Sequence, residues 1–473
     1  MEQEIVQTAS VDGQILPRER SFDLETFLRI FFIASMVGLG LWIIVGIVLG
    51  CVQKAVDYPI LYVFSGFIPF SDFAETLSYA ICPNPYTGEY GIRTIYPPLS
   101  FLIFYPFTWI CRGALDRYVA KEITLEQLSA DATFIVSFVL FYLISVALVM
   151  LMVAKMTGFK GKNLIYTLGI TFAFGPLMFE FIRANNTLLL FVAAVAFFFL
   201  HGSSKRWCRE LSYVCLGFAV CMKIYPAFMI FYLVYKEKKL NKLWAVLKTL
   251  GYALFLVFVP FVLVEGGFSN IGALWNNFRG FTGEETASVA RSANDLVSAI
   301  QSLGPTQWTT NISIETVVYW FCRGMSAIFG GADVSILHTL LSSVMRYGLL
   351  LAAAVLPFIS FKSCKGKEFV ALAVGTYLLF PGVCNGYCMM LMLIPFVVTL
   401  TEWNSLVFKD KVFYAVCYGL VANAFFFSYN VFLPSAIATI AIVVKSIVDI
   451  VKDDVHIFKE ARAAKTQEVA AEA

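Results

Sequence analysis

One carboxylate in this chain stands where water is scarce. Asp72 lies in the run Phe70-Ser71-Asp72-Phe73, with Ile68 just upstream. A carboxylate in an apolar setting beside a bilayer is suited to general-base work, because partial desolvation raises its affinity for a proton. The same residues also describe a plain helix start, with Ser71 or Asp72 as N-cap of an amphipathic helix running to about Ala80. Two cations occupy equally costly places. Lys223 interrupts two apolar half-segments, Leu211–Met222 and Ile224–Tyr235, with Pro226 just behind it. Arg183 closes the apolar run Leu164–Ile182, three residues after Glu180, and Asn185-Asn186 follow at once. Ionisable groups at membrane depth are expensive and mark functional sites by default. The plainer alternatives are a Lys223 that snorkels to an interface and a Glu180–Arg183 pair neutralised on one helix face. Metal chemistry has little to work with. The three histidines, His201, His338 and His456, stand apart, and the eleven cysteines are scattered with no CxxC pair.

The elements that must position these groups are membrane helices. Of 473 residues, 59% are hydrophobic and only 14% charged, whereas a soluble domain carries about a quarter charged residues. A formal charge of +3 gives no electrostatic case for a nucleic-acid partner. Ile30–Val52 is an apolar run long enough to cross a bilayer, and further candidate crossings centre on Phe134–Ala154, Leu164–Phe179, Thr187–Leu200, Thr249–Val264 and Val334–Phe361. Phe369–Thr401 and Val412–Val444 are each too long for one helix. Breakers at Pro381–Gly386 and Ser428–Pro434 divide each into a pair of shortened helices. Tyr96–Ile110 reads as a further helix, Arg112–Asp131 fits either side of the membrane, and a re-entrant or interfacial course is the alternative for this stretch. The expectation is an all-α polytopic transmembrane bundle of roughly ten to twelve helices, with no internal repeat visible.

Lysine and arginine set the orientation. Lys155/Lys160/Lys162, Lys205/Arg206/Arg209, Lys236/Lys238/Lys239/Lys242 and Lys362/Lys365/Lys367 read as cytoplasmic. So do an uncleaved N-terminal tail over 1–27 and a charged tail over 449–473, a helix that frays, on either side of a membrane domain over 28–448. Two outside loops result, about 53–95 and 265–333. The first carries Asn84-Pro85-Tyr86 and Tyr96-Pro97-Pro98-Leu99, whose prolines forbid an earlier helix start. The first also carries the aromatics Tyr58, Phe73, Tyr86 and Tyr96, and the second carries Trp275, Arg279, Asn294 and Asp295.

These motifs, in this order, resemble the polyprenyl-phosphate-sugar-dependent glycosyltransferases of the GT-C superfamily, particularly the bacterial family 87 mannosyltransferase-like proteins. The carrying residues are Asp72, Asn84-Pro85-Tyr86, Tyr96-Pro97-Pro98-Leu99, Arg183-Ala184-Asn185-Asn186, Lys223-Ile224-Tyr225-Pro226, Tyr235-Lys236-Glu237-Lys238, and Phe380-Pro381 with Leu393-Ile394-Pro395. The resemblance spans Leu28 to Leu400. It departs after the arginine, where relatives often carry Gly-Gln-x-Asn. It departs again at Asn385-Gly386-Tyr387, where they often carry a histidine. What it implies is an inverting transfer outside the cytoplasmic membrane, from a polyprenyl-phosphate sugar to a glycolipid or polysaccharide acceptor, with no metal cofactor. It makes Asp72 the base, Arg183 and Lys223 the donor-phosphate ligands, and Tyr86, Tyr96, Asn185, Asn186, Tyr225, Asn385 and Tyr387 substrate contacts. A transporter or flippase of lipid-linked sugars, and an O-antigen-type polymerase or ligase, are the competing readings.

Overall fold

The computed structural model describes residues 22–52, 70–88, 93–237, 239–277, 311–330, 333–360, 366–381, 384–423 and 433–472. Among them the chain is an all-helical bundle. Five helices are long and apolar enough to cross a membrane: Leu24–Ile44, Ala132–Thr157, Asn241–Leu263, Ser335–Ile359 and Leu433–Glu460. A sixth span is a bent pair, Gly161–Phe172 and Gly175–Phe181, kinked by 46°. The sequence reading treated that run as one helix. Pro176, in the first turn of the second piece, explains the break, because it brings no N–H to the helical ladder. Thr187–His201 and Gly386–Thr401 are shorter apolar helices. The protein is therefore a multi-pass membrane protein.

Both expected helix pairs form. Gly366–Leu379 is followed by the 3₁₀ segment Gly386–Met392 and the helix Leu393–Thr401. Phe408–Ala422 is followed by Leu433–Glu472. The second helix of that pair runs unbroken through the charged tail. Every residue from Lys367 to Leu379 is buried, as a helix apolar on all sides must be. Gly375 lets the Leu433–Glu472 helix approach so closely that a Cβ there would lie 2.1 Å from Val443 Cγ2.

Of the two courses open to Tyr96–Ile110, the spanning helix is not the one seen: the stretch forms two single turns, Leu99–Leu102 and Tyr105–Thr108. Hydrophobicity there reports burial of Phe101, Phe104 and Thr108 rather than helix continuity, and Pro106 interrupts the ladder. The helices Arg112–Val119 and Leu125–Ser129 follow, the second closed by a Thr124/Gln127 capping box. Both pack on the helix Ser71–Ile81.

The helices Arg206–Met222 and Lys239–Phe258 meet at Gly217, where a Cβ would lie 2.9 Å from the Ala253 backbone nitrogen. Backbone cannot swing aside as a side chain does. Gly217→Ala is expected to cost about 1–3 kcal/mol, read as a lower melting temperature in detergent. An unchanged melting temperature would show that this helix pair is not tightly seated.

Candidate functional site

The first turn of Ser71–Ile81 is fixed by aromatics. Phe73 is fully buried and contacts Phe104, Phe134, Phe138 and Phe141 at centroid distances of 5.4–6.1 Å. Phe70 lies 4.6 Å from Phe138 and adopts the left-handed conformation, φ 64°. Neither Ser71 nor Asp72 is the N-cap: that position is Phe70, with no side-chain cap bond. The plain helix-start reading thus has the right helix but the wrong role for the carboxylate. Asp72 stands in the first turn, where the helix dipole favours negative charge, and is half-buried. Its Oδ2 accepts a hydrogen bond of 2.7 Å from Asn185 Nδ2.

Asn185 sits on a tight corner. Ala184 before it is left-handed, φ 54°, with its N–H on Glu180 O at 2.7 Å. The helix Thr187–His201 begins two residues after it. Asn185 Oδ1 accepts from the Thr187 N–H at 3.0 Å and from the Thr187 hydroxyl. It also accepts from Lys223 Nζ at 3.3 Å, while the same ammonium donates to Thr187 Oγ1 at 2.6 Å. Only one orientation of the amide serves both ends, with NH₂ toward the carboxylate and oxygen toward the ammonium. The charges therefore dictate the assignment.

Lys223 reaches this point because the chain breaks at it. It caps the helix Arg206–Met222 in extended conformation, ahead of Pro226 and the 3₁₀ turn Tyr225–Met229. Its ammonium lies 5.4 Å from the centroid of Tyr387, a cation–π placement. Tyr387 is buried, accepts from Asn385 Nδ2 at 3.2 Å, and stacks on Phe179 at 6.2 Å. Tyr96 and the buried Glu180 lie within electrostatic reach of the same ammonium. Asn311 stitches the far end of the second loop to this place. Its Oδ1 accepts from Cys384 N at 2.9 Å, and Ile312 N donates to Cys384 O at 2.8 Å.

The structure thus brings together Asp72, Asn185, Lys223, Tyr96, Asn385 and Tyr387. Tyr225 lies beside them, 39% exposed, with its ring edge-on to Tyr377. Asn186 is buried at the start of Thr187–His201, and its Oδ1 has no hydrogen-bond partner among the described residues. The Arg183 side chain, Tyr58, Arg279, Asn294 and Asp295 lie outside the described residues. Thr187 escaped the sequence reading, because it opens an apolar run and was counted as membrane-facing. Its place directly after two asparagines was the available signal.

Tyr86 is corrected. It is 1% exposed, donates to Tyr96 O at 2.9 Å and stacks on Phe261 at 5.5 Å, so it has no face for a sugar. It belongs to a small satellite core with Tyr79, Phe101, Phe261 and Val264. Around it the two loops clasp. Asn84 Nδ2 donates to Asn270 Oδ1 at 3.0 Å, and Asn277 Nδ2 donates to the carbonyls of Tyr86 and Thr94 at 3.1 Å each. Trp275 belongs to the same helical turn as Asn277, its side chain 58% exposed. Tyr86→Phe is expected to cost about 1–3 kcal/mol, since the Tyr96 carbonyl loses a buried donor. Thermal denaturation checks it, and an unchanged midpoint would mean that water replaces the phenol.

The chain is thus a multi-pass helical bundle that sets a carboxylate and an ammonium on one amide. Residues 94–381 match glycosyltransferase family 87. This is more than half of the chain, and the protein belongs to that family: it is a membrane glycosyltransferase. Asn185, Thr187 and Lys223 fall inside the matched span, whereas Asp72, Asn385 and Tyr387 fall outside it. No curated protein and no solved structure was found to match.

Proposed function

We propose that the protein moves a hexose, mannose first among the candidates, from a polyprenyl-phosphate sugar to a glycolipid or polysaccharide acceptor, in one inverting displacement. The observation that carries this is the joining of Asp72 and Lys223 through one asparagine. A single displacement needs a base for the acceptor hydroxyl and fixed positive charge for the departing phosphate, a few ångströms apart. In the step, the acceptor oxygen bonds to the anomeric carbon as the bond to the phosphate oxygen breaks. The hydroxyl proton passes to Asp72, and the phosphate leaves with the bonding pair. Polyprenyl phosphate is already a good leaving group, so neither a second carboxylate as acid nor a divalent metal is required. Lys223, with Arg183, would meet the phosphate. Tyr96, Asn186, Tyr225, Asn385 and Tyr387 are the residues proposed to contact the sugar.

We place this centre outside the cytoplasmic membrane, with both termini inside. Once Tyr96–Ile110 is not a crossing, parity closes. Leu24–Val52 leads out, the segment with Asp72 and the helices to Ser129 stays outside, and Ala132–Thr157 returns to Lys155, Lys160 and Lys162. The test is transfer from a panel of radiolabelled polyprenyl-phosphate sugars to membrane lipid extract by purified protein. Labelled product from one donor is the expected result. No product from any donor, with labelled lipid-linked sugar crossing reconstituted vesicles, would replace transfer by transport.

A further inference from the structure

Asn185 was first placed among the substrate contacts, but the oxygen of its amide is already spent within the protein. The side chain is 8% exposed. Its oxygen accepts from the Thr187 N–H, the Thr187 hydroxyl and the Lys223 ammonium, and its nitrogen donates to Asp72. An amide oxygen has two lone pairs, so three donors leave it no capacity for a sugar hydroxyl. The backbone is gripped as firmly. Ala184 N–H is bonded to Glu180 O on one side, and Asn185 O accepts from Leu188 N at 3.2 Å on the other. A group held this way orients what it touches.

We infer that Asn185 is a positioning residue that ties the Asp72 carboxylate to the Lys223 ammonium, setting the proton-accepting and anion-binding groups in one fixed relation. Asp72 and Lys223 arrive from segments 113 residues before it and 38 after it. The amide is the bridge between them, with Thr187 as its brace. Neutral and bipolar, it can donate to a carboxylate and accept from an ammonium without cancelling either charge. A charged residue here would neutralise one end and repel the other. The inference rests on the roles of Asp72 and Lys223 given above.

Asn185→Asp separates this role from a structural one. An aspartate keeps an acceptor for the Thr187 N–H and for Lys223, so the helix start is retained. Toward Asp72 it exchanges a donor for an oxygen, and two carboxylates at hydrogen-bond distance share a proton rather than both ionising. Three readouts follow. The first is infrared titration of the carboxylate band that is missing in Asp72→Asn. The second is binding of polyprenyl phosphate carrying no sugar, and the third is the pH–rate profile. In Asn185→Asp, proton uptake is expected at a pH about one unit or more above wild type, and the acidic limb of the rate profile moves up with it. Affinity for polyprenyl phosphate should fall in Asn185→Asp, since the new carboxylate offsets the Lys223 charge, and should stay within about threefold in Asn185→Ala. Asn185→Ala, which adds no charge, should move the same band in the same direction by less, and serves if the aspartate variant fails to fold. A band that titrates as in wild type in both variants overturns the inference. So does an unmoved pH profile with a raised acceptor KM, which would make Asn185 a substrate ligand. Absence of transfer from every donor by wild type, with the carboxylate shift still present, would instead remove the transferase reading and leave the coupling in place.

Discussion

Asp72→Asn will lower the rate of sugar transfer by roughly a hundredfold or more while leaving the protein as stable as wild type. The substitution is nearly isosteric. The new amide oxygen can still accept from Asn185 Nδ2, and the aromatic seat of Phe70 and Phe73 is untouched. What disappears is the capacity to take a proton at neutral pH, which general bases supply at about 10²–10⁴ in rate. Initial rates at saturating donor, with the melting temperature as control, decide the matter. Retention of more than about a tenth of the wild-type rate at unchanged folding would disqualify Asp72 as the base. Glu75, exposed one turn further along the same helix, would then be examined next.

The second large effect is expected at Lys223. Lys223→Met keeps the length of the side chain and removes the charge, so loss of packing is small. Asn185 retains its bonds from the Thr187 N–H and hydroxyl, and the Asp72 side of the site therefore keeps its geometry. The departing phosphate, however, loses the ammonium that would offset its growing charge. Removal of one such preorganised donor costs on the order of 10²–10³ in rate. The expected signature is a fall of about that size in kcat/KM for the donor, with weakened polyprenyl-phosphate binding. Lys223→Arg should recover only part of it, since the planar guanidinium cannot reproduce a point charge bonded to Thr187 and Asn185 together. Undiminished donor binding in Lys223→Met would reduce the lysine to an internal hydrogen-bond donor to Asn185 and Thr187.

How much of this was legible in the sequence follows a physical line. Asp72 and Lys223 stood out because a charge amid apolar residues is costly and therefore informative. That Asn185 joins them could not be read, because the bond spans 113 residues and three segments. Thr187 was invisible for a related reason. A hydroxyl costs little in an apolar helix, so its presence carried no signal until Lys223 was seen against it. The helix pairs over Phe369–Thr401 and Val412–Val444 were readable because length forbids one straight helix. Tyr96–Ile110 left two courses open, since an apolar stretch looks alike whether it crosses a membrane or folds as single turns against a neighbour. Tyr86 misled, for an aromatic in an outside loop serves a sugar or a core equally well.

The clasp between the two loops has a consequence for how the protein is made. Asn84 must wait for Asn270, which lies 186 residues later in the chain. At ribosomal speeds of about 5–20 residues per second, that interval lasts roughly 10–40 s. Throughout it, the first loop has been synthesised without the partners that hold Asn84 and Tyr86. Asp72 receives its Asn185 contact earlier, and Tyr387 later still. On the proposed roles the site is complete only when the last third of the chain has arrived, so truncated or stalled products should be inert. The long wait also makes this loop a natural client for whatever attends unfinished membrane proteins.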